Sequence, residues 1–199
     1  MKIPDININL GNGNLNRTAA TDDGVAGMVL TGKAVAGKLE LNRHYQLASV
    51  RDLVSLGITA DNNPLAHKDI TAFYTKAGEG AELHIVIVSE ASTFTQMTAV
   101  AADSPLRKLI DGSQGRIRLV GLNRLPPAEY TATIEQGIDS DVLTAIASAQ
   151  SVAESYAGQM RLFRGLISGA GFDDTAENLF KPREASYNRW EVVLASDDP

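Results

Sequence analysis

The sequence predicts an α/β fold: an open, mostly parallel sheet with helices on both faces, preceded by an extended N-terminal arm and short β elements. Three observations predict it. Residues 83–88, Leu-His-Ile-Val-Ile-Val, are apolar almost without interruption, the pattern of a strand buried on both faces. From there onward strand-like and helix-like segments alternate; such strands need helical cover on both sides and right-handed crossovers between them. Finally, Val142, Ile146, Ala149, Val152, Ala153 and Tyr156 share one face of a helix over 140–158, whose Ala and Ser residues permit close packing on a sheet.

In chain order, Ile6, Ile8 and Leu10 alternate with Asn7 and Asn9, which is a strand period. The Gly- and Asn-rich stretch that follows keeps no period and reads as loop. Residues 1–20 are therefore expected to form an extended arm with a flexible loop, and residues 21–199 the α/β core. The arm has two readings: an ordinary edge strand of its own domain, or a strand that completes the sheet of another subunit. Residues 25–32 read as a short apolar strand ending at Gly32. Leu39, Leu41 and Tyr45 alternate as in a hairpin or meander over 37–49. A short helix over 49–57 has Ser49 as cap, Asp52 at N3 and Gly57 as stop. Asp61, Asn62 and Asn63 are turn residues, and Pro64 keeps Asn63 extended or in a turn. Leu65, Ile70, Phe73, Tyr74 and Ala77 then follow helical spacing over 65–77, ending at Gly78.

Past the strand at 83–88, residues 92–112 are helical in character, with a restart at Ser104-Pro105 as cap and first helical residue. A second strand is expected over 116–122, a loop with Pro126 and Pro127 over 123–137, and the long helix over 140–158, capped by Ser140 or Asp141. A third strand over 161–169, a short helix over 173–180 and a fourth strand over 188–196 complete the pattern.

Composition narrows the function. The 199 residues are 44% apolar and 21% charged, enough for one large domain or two small ones with a packed core. The net charge is −6 and neither half is basic, which argues against binding a nucleic-acid backbone. The absence of cysteine excludes disulfides, thiolate zinc sites and cysteine nucleophiles. No apolar run is long enough to span a bilayer, and the N-terminus lacks the apolar core of a signal peptide; no membrane partner is expected, and cytoplasmic assembly is.

No cofactor is expected, because neither GxxxxGK[ST] nor GxGxxG occurs. His44, His67 and His84 stand singly, without metal-ligand spacing; His84 reads as a hydrogen-bonded core or edge imidazole and His67 as a surface helix residue. Ser104, Ser168 and Ser186 lack a nucleophile-elbow setting. Acidic pairs occur at Asp22-Asp23, Asp173-Asp174 and Asp197-Asp198. Asp173 follows a strand, where α/β sheets place ligands, so a metal-dependent α/β enzyme using carboxylates near Asp173 is the alternative reading. Arg116 and Arg118 share one side of the second strand and, with Arg124 and Lys108, form the basic cluster. Pairing with carboxylates, at a surface or across a subunit contact, suits their guanidinium groups.

The order of these pieces resembles a known family. GVAGMVLTG (24–32), YQLASVRDLVSLGI (45–58), HKDITAFYTKAGEGAELHIVIVS (67–89), with its aromatic pair Phe73 and Tyr74, and GRIRLVGLNRLPP (115–127) resemble contractile phage tail sheath proteins, in particular a bacterial prophage-type sheath-like branch. The resemblance implies a structural subunit and not an enzyme, with no catalytic, cofactor or metal residue. Such subunits polymerise around an inner tube through strand exchange, in a phage tail or tail-like contractile injection system. The implied partners are copies of the chain itself and a tail tube protein. Ile6, Ile8 and Leu10 would be the inter-subunit strand, and Arg116 and Arg118 interface charges. Sheath proteins usually continue into a C-terminal domain that meets the tube, so the chain is expected to be a truncated piece or a shortened relative.

Overall fold

The apolar runs become the middle of a six-stranded sheet in the computed structural model, which describes residues 24–169, 171–181 and 184–194. The elements are β1 (Ala26–Gly32), β2 (His44–Leu47), α1 (Arg51–Leu56), α2 (Pro64–Ala77), β3 (Leu83–Ser89), α3 (Phe94–Met97), α4 (Pro105–Gly112), β4 (Leu119–Asn123), β5 (Ile134–Glu135), β6 (Ile138–Asp139), α5 (Ser140–Ala157), β7 (Arg164–Ser168) and β8 (Trp190–Val193). The sheet order is β2-β3-β1-β4-β7-β8. All its pairs are parallel except β2 with β3, where His44 faces Val86 and Leu47 faces Leu83 in antiparallel register. The fold is thus the mixed α/β, mostly parallel sheet expected from the sequence. The arm residues Ile6, Ile8 and Leu10 lie outside the described residues.

Side-chain alternation divides the core into two layers, one on each face of the sheet. Leu30, Leu83, Ile85 and Ile87 point to one face and pack with Leu53 of α1 and with Ala66, Ile70 and Tyr74 of α2. Val29, Val86, Val120 and Ile167 point to the other and pack with α3, α4 and α5. Glycine allows the closest approach: a Cβ on Gly27 would collide with Leu109 of α4 and Ile117.

Local chemistry explains where the elements depart from the sequence reading. The stretch 92–112 divides at Ser104-Pro105 as expected, but Ser104 makes no side-chain capping bond to α4, and α3 opens with a complete capping box between Thr93 and Gln96. The strand expected from Arg116 begins only at Leu119. In α1 the expected Ser49 cap is replaced by Asp52, whose Oδ2 accepts from the backbone N–H groups of Ala48 and Ser49. Residues 173–180 form no helix. Asp173 Oδ1 accepts from Thr175 N at 2.9 Å and Oγ1 at 2.6 Å, a local bond that competes with helix. The backbone N–H groups of Asp173 and Phe180 donate to Gly137 and Gln136, in the β5–β6 turn. That small hairpin occupies the end of what the sequence suggested was all loop.

Candidate functional site

Parallel α/β sheets place ligands beyond the carboxyl ends of their strands, where successive crossovers leave to opposite sides. Here that point is the end of β1, which has β3 on one side and β4 on the other. Asn63 is buried there, and its side chain grips the chain leaving β1: Oδ1 accepts from Lys33 N at 2.7 Å and Nδ2 donates to Lys33 O at 3.2 Å. Its Oδ1 occupies the space where any side chain on Gly32 would start. The turn Asp61–Pro64 is therefore a clamp between α2 and β1. Asn62 secures it from behind, accepting from Thr59 N and donating to Gly57 O.

Next along the sheet, Arg124 leaves the end of β4 with its side chain 3% exposed. Its Nη1 donates to Asp141 Oδ2 at 2.9 Å, and its guanidinium lies 4.3 Å from the ring centroid of Tyr130. Asp141 also accepts from the backbone N–H groups of Phe94 at 2.7 Å and Thr95 at 3.0 Å, which ties the starts of α3 and α5 together. Burial opposes its ionisation, but the bonds from Thr95 and Phe94 and the charge of Arg124 outweigh this and hold its carboxyl below the ordinary range. Asp139, not Ser140 or Asp141, is the cap of α5, accepting from Asp141 N at 3.1 Å. Tyr130 donates its hydroxyl to Asp139 Oδ2 at 2.5 Å; burial, then this carboxylate, raises the Tyr130 pKa. An open cleft of about 700 Å³ lies alongside, between α2 and the ends of β1, β4 and β7, with Met28, Leu30 and Leu166 in its floor and an Asn123–Asp69 hydrogen bond of 2.9 Å in its wall. The arrangement joins elements; no base is aimed at an unpartnered nucleophile.

The sequence-predicted residues are scattered. Asp173 is exposed and engaged with Thr175. Arg116 pairs within the chain with Glu82, whereas Arg118 donates to the backbone oxygen atoms of Gly115 at 2.8 Å and Ile117 at 3.3 Å. His44 and His84 meet across the β2–β3 pair, with 2.7 Å between their ring nitrogens, and His67 stays apart on α2. Among the described residues no group of three or more His, Asp or Glu side chains could hold a metal ion, and no helix is long and apolar enough to cross a membrane.

The β8 side of the sheet is less covered among the described residues. The outer edge of β8 pairs with nothing among the described residues. On the face carrying α2, no helix among the described residues lies over the strands β4, β7 and β8. Leu119 and Val193 are 45% and 42% exposed there, and Arg164 and Glu191 face each other at 4.0 Å in solvent. On the opposite face a hollow beside β8 is lined by Phe180, Tyr187, Trp190 and Val192.

A family model described as DUF2586, N-terminal domain, matches residues 3–180. The chain belongs to the DUF2586 family. Comparison with curated proteins gives no match. Among solved structures, this DUF2586 chain is similar to the helical sheath of the anti-feeding prophage (AFP) in its contracted state, solved by cryo-electron microscopy. The identity is 14% and the TM-score 0.46, over 96% of this chain and 45% of that one. The DUF2586 chain thus spans less than half the length of the sheath protein it matches.

Several linking residues in this DUF2586 domain carried little signal in sequence. Asn63 looked like any turn residue before Pro64, and nothing local announces Lys33 as its partner 30 residues away. Arg124 and Asp141 are separated by a loop and a hairpin. The one available hint for the histidines was that His84 is the sole polar residue inside an otherwise apolar run, a position that demands a hydrogen-bond partner.

Proposed function

We propose that this DUF2586 domain is a structural subunit of a contractile tail or injection-system sheath, polymerising around an inner tube through strand exchange. The supporting observation is the bare β8 side of the sheet. A strand edge without a partner is a template for another chain, and among the described residues β8 has none on its outer side and helical cover on one face only. The arm, residues 1–20, suits that edge in composition: Ile6, Ile8 and Leu10 offer one apolar side and Asn7 and Asn9 one polar side. The chain donating the strand would be a second copy. Each strand bond contributes roughly 0.5–1.5 kcal/mol net, so holding force would come from repetition along a tube. The enzyme reading gains no support at Asp173, whose carboxylate is occupied by its own turn.

The alternation of strand bonds supplies a test. Gly165 N donates to Arg189 O and Gly169 N to Val193 O, so residues 189, 191 and 193 turn inward to β7 while 190 and 192 turn outward. Val192→Pro removes an outward N–H and leaves the β7 ladder in place. Both this variant and deletion of residues 1–10 are expected to keep the folded circular-dichroism spectrum and to lose the rings or filaments that the parent chain forms in concentrated solution, read by light scattering and electron microscopy. A parent chain that stays solitary at every concentration would overturn the reading.

A further inference from the structure

At the opposite edge of the sheet, four ionisable side chains form a chain that passes through the buried His84 to the half-buried His44 on the edge strand. Arg116 Nη1 donates to Glu82 Oε2 at 2.7 Å. Glu82 Oε1 lies 2.7 Å from His84 Nε2, and His84 Nδ1 lies 2.7 Å from His44 Nε2. His84 is 1% exposed, and the two rings meet edge to edge, their planes 20° apart and their centroids 5.0 Å apart. This order fixes the hydrogens. Ionised Glu82 only accepts, so His84 Nε2 carries a hydrogen. Neutral His84 then presents a bare Nδ1, which accepts from His44 Nε2–H.

We propose that the His44–His84 pair is a proton-operated latch: neutral, it fastens the edge strand β2 to β3, and on taking up protons it releases β2 and opens this side of the sheet. A first proton on His84 Nδ1 turns that nitrogen into a donor. His44 must then surrender the hydrogen on Nε2 and carry one on Nδ1 instead. A second proton sets N–H against N–H across the same short gap, and the bond is lost. On one side the His44 ring lies against Gly112 at the end of α4, where even a Cβ would collide with it, so it cannot turn that way.

The surrounding charges act in both directions. Burial holds His44 below its ordinary value, assisted by His84. Burial does the same for His84, against Glu82, which favours the cation, and with Arg116, which disfavours it. The carbonyl end of α4 favours a cation at His44. Asp111 beside it is drawn to Arg161 at 3.4 Å, and Arg43, next to His44 on the chain, is drawn to Glu40 at 3.1 Å. A base with a lowered pKa in the fold binds more protons unfolded. The latch therefore contributes fully above the ordinary histidine value, about 6.5, and is lost as pH falls below it. Glu82 does not blur this window: burial raises its pKa, but Arg116 and His84 outweigh burial and hold it below the usual carboxylate range.

The full 199-residue chain tests the latch by nitrogen NMR of the imidazoles together with amide-exchange protection of β2 relative to β7. At about pH 8 both rings should carry hydrogen on Nε2. Between about pH 7 and 5 the β2-to-β7 protection ratio should fall about tenfold for each unit by which the pair's pKa is lowered. In His44→Phe, which keeps an aromatic ring without a titrating nitrogen, the ratio should fall less with pH, because His84 alone is left to titrate. A constant ratio in the parent, an equal fall in His44→Phe, or the opposite tautomer on either ring would overturn the proposal. Should His44→Phe fail to fold, the parent's tautomers and ratio decide alone.

Discussion

On either side of β1, the two halves of the sheet are buried by different means. β3 lies between two helical layers and is buried at every residue but the last, so its sequence is a plain apolar run. β4 and β7 are covered on one face, and their residues alternate buried and partly exposed. The burial of β3 removes apolar surface from water twice over, at about 25 cal/mol per Å²; β7 gains this on one side. The difference teaches a division of labour. One half concentrates the folding energy, and the other leaves one face of its strands without helical cover among the described residues.

The largest expected effect tests the first half. Ile85, with no exposed surface, sits among α1, α2 and the β2 edge. Ile85→Ala should lower unfolding free energy by about 2–5 kcal/mol, the range for emptying a well-packed site, as read from urea titration at constant slope. A cost below about 1 kcal/mol would mean that the α2 layer collapses into the gap, and that this half is not the rigid one.

A smaller effect tests what holds the halves in register at their shared strand. Asn63→Ala deprives the Lys33 N–H and C=O of their partners and should cost about 0.5–1.5 kcal/mol for each bond lost, the net value of a typical hydrogen bond. The same measurement in Gly32→Ala, where the new methyl meets Asn63 Oδ1, should also show a loss, because both changes attack one clamp. If the double variant costs the sum of the singles, the two residues do not form a unit.

The sequence revealed the two halves unequally, for a physical reason. A doubly buried strand writes its environment into consecutive residues, so 83–88 and the helix over 140–158 were legible as written, with helix ends displaced by a residue or so. Local competition was harder to read: Asp173 prefers its bond to Thr175 over a helical turn, and only the β5–β6 turn beside it shows why that preference wins. The polar clusters were least legible, because each joins residues far apart in sequence through the crossover. His44 and His84 are 40 positions apart, and Arg116 reaches Glu82 across 34. Which basic residue reaches Glu82 is decided by where β4 begins. Starting at Leu119 instead of Arg116, it leaves Arg116 in the approach to the sheet, within reach of Glu82.

The smallest expected effect sharpens the second half. Val193→Thr on β8 keeps the branched shape that suits a strand while trading a methyl for a hydroxyl, and 42% of the residue is already in solvent on the bare face. In dilute protein the change should move stability by no more than about 0.5 kcal/mol, as for surface sites without special contacts. A cost approaching that of Ile85→Ala would mean the face is covered and the contrast between the halves false. Repeating the measurement at rising protein concentration adds the decisive arm. Anything that binds only the folded chain raises its apparent stability by mass action. If neighbouring copies pack on this face, the parent should gain stability with concentration and Val193→Thr should gain less, so the gap between them widens; on a face that only meets water, the two curves stay parallel.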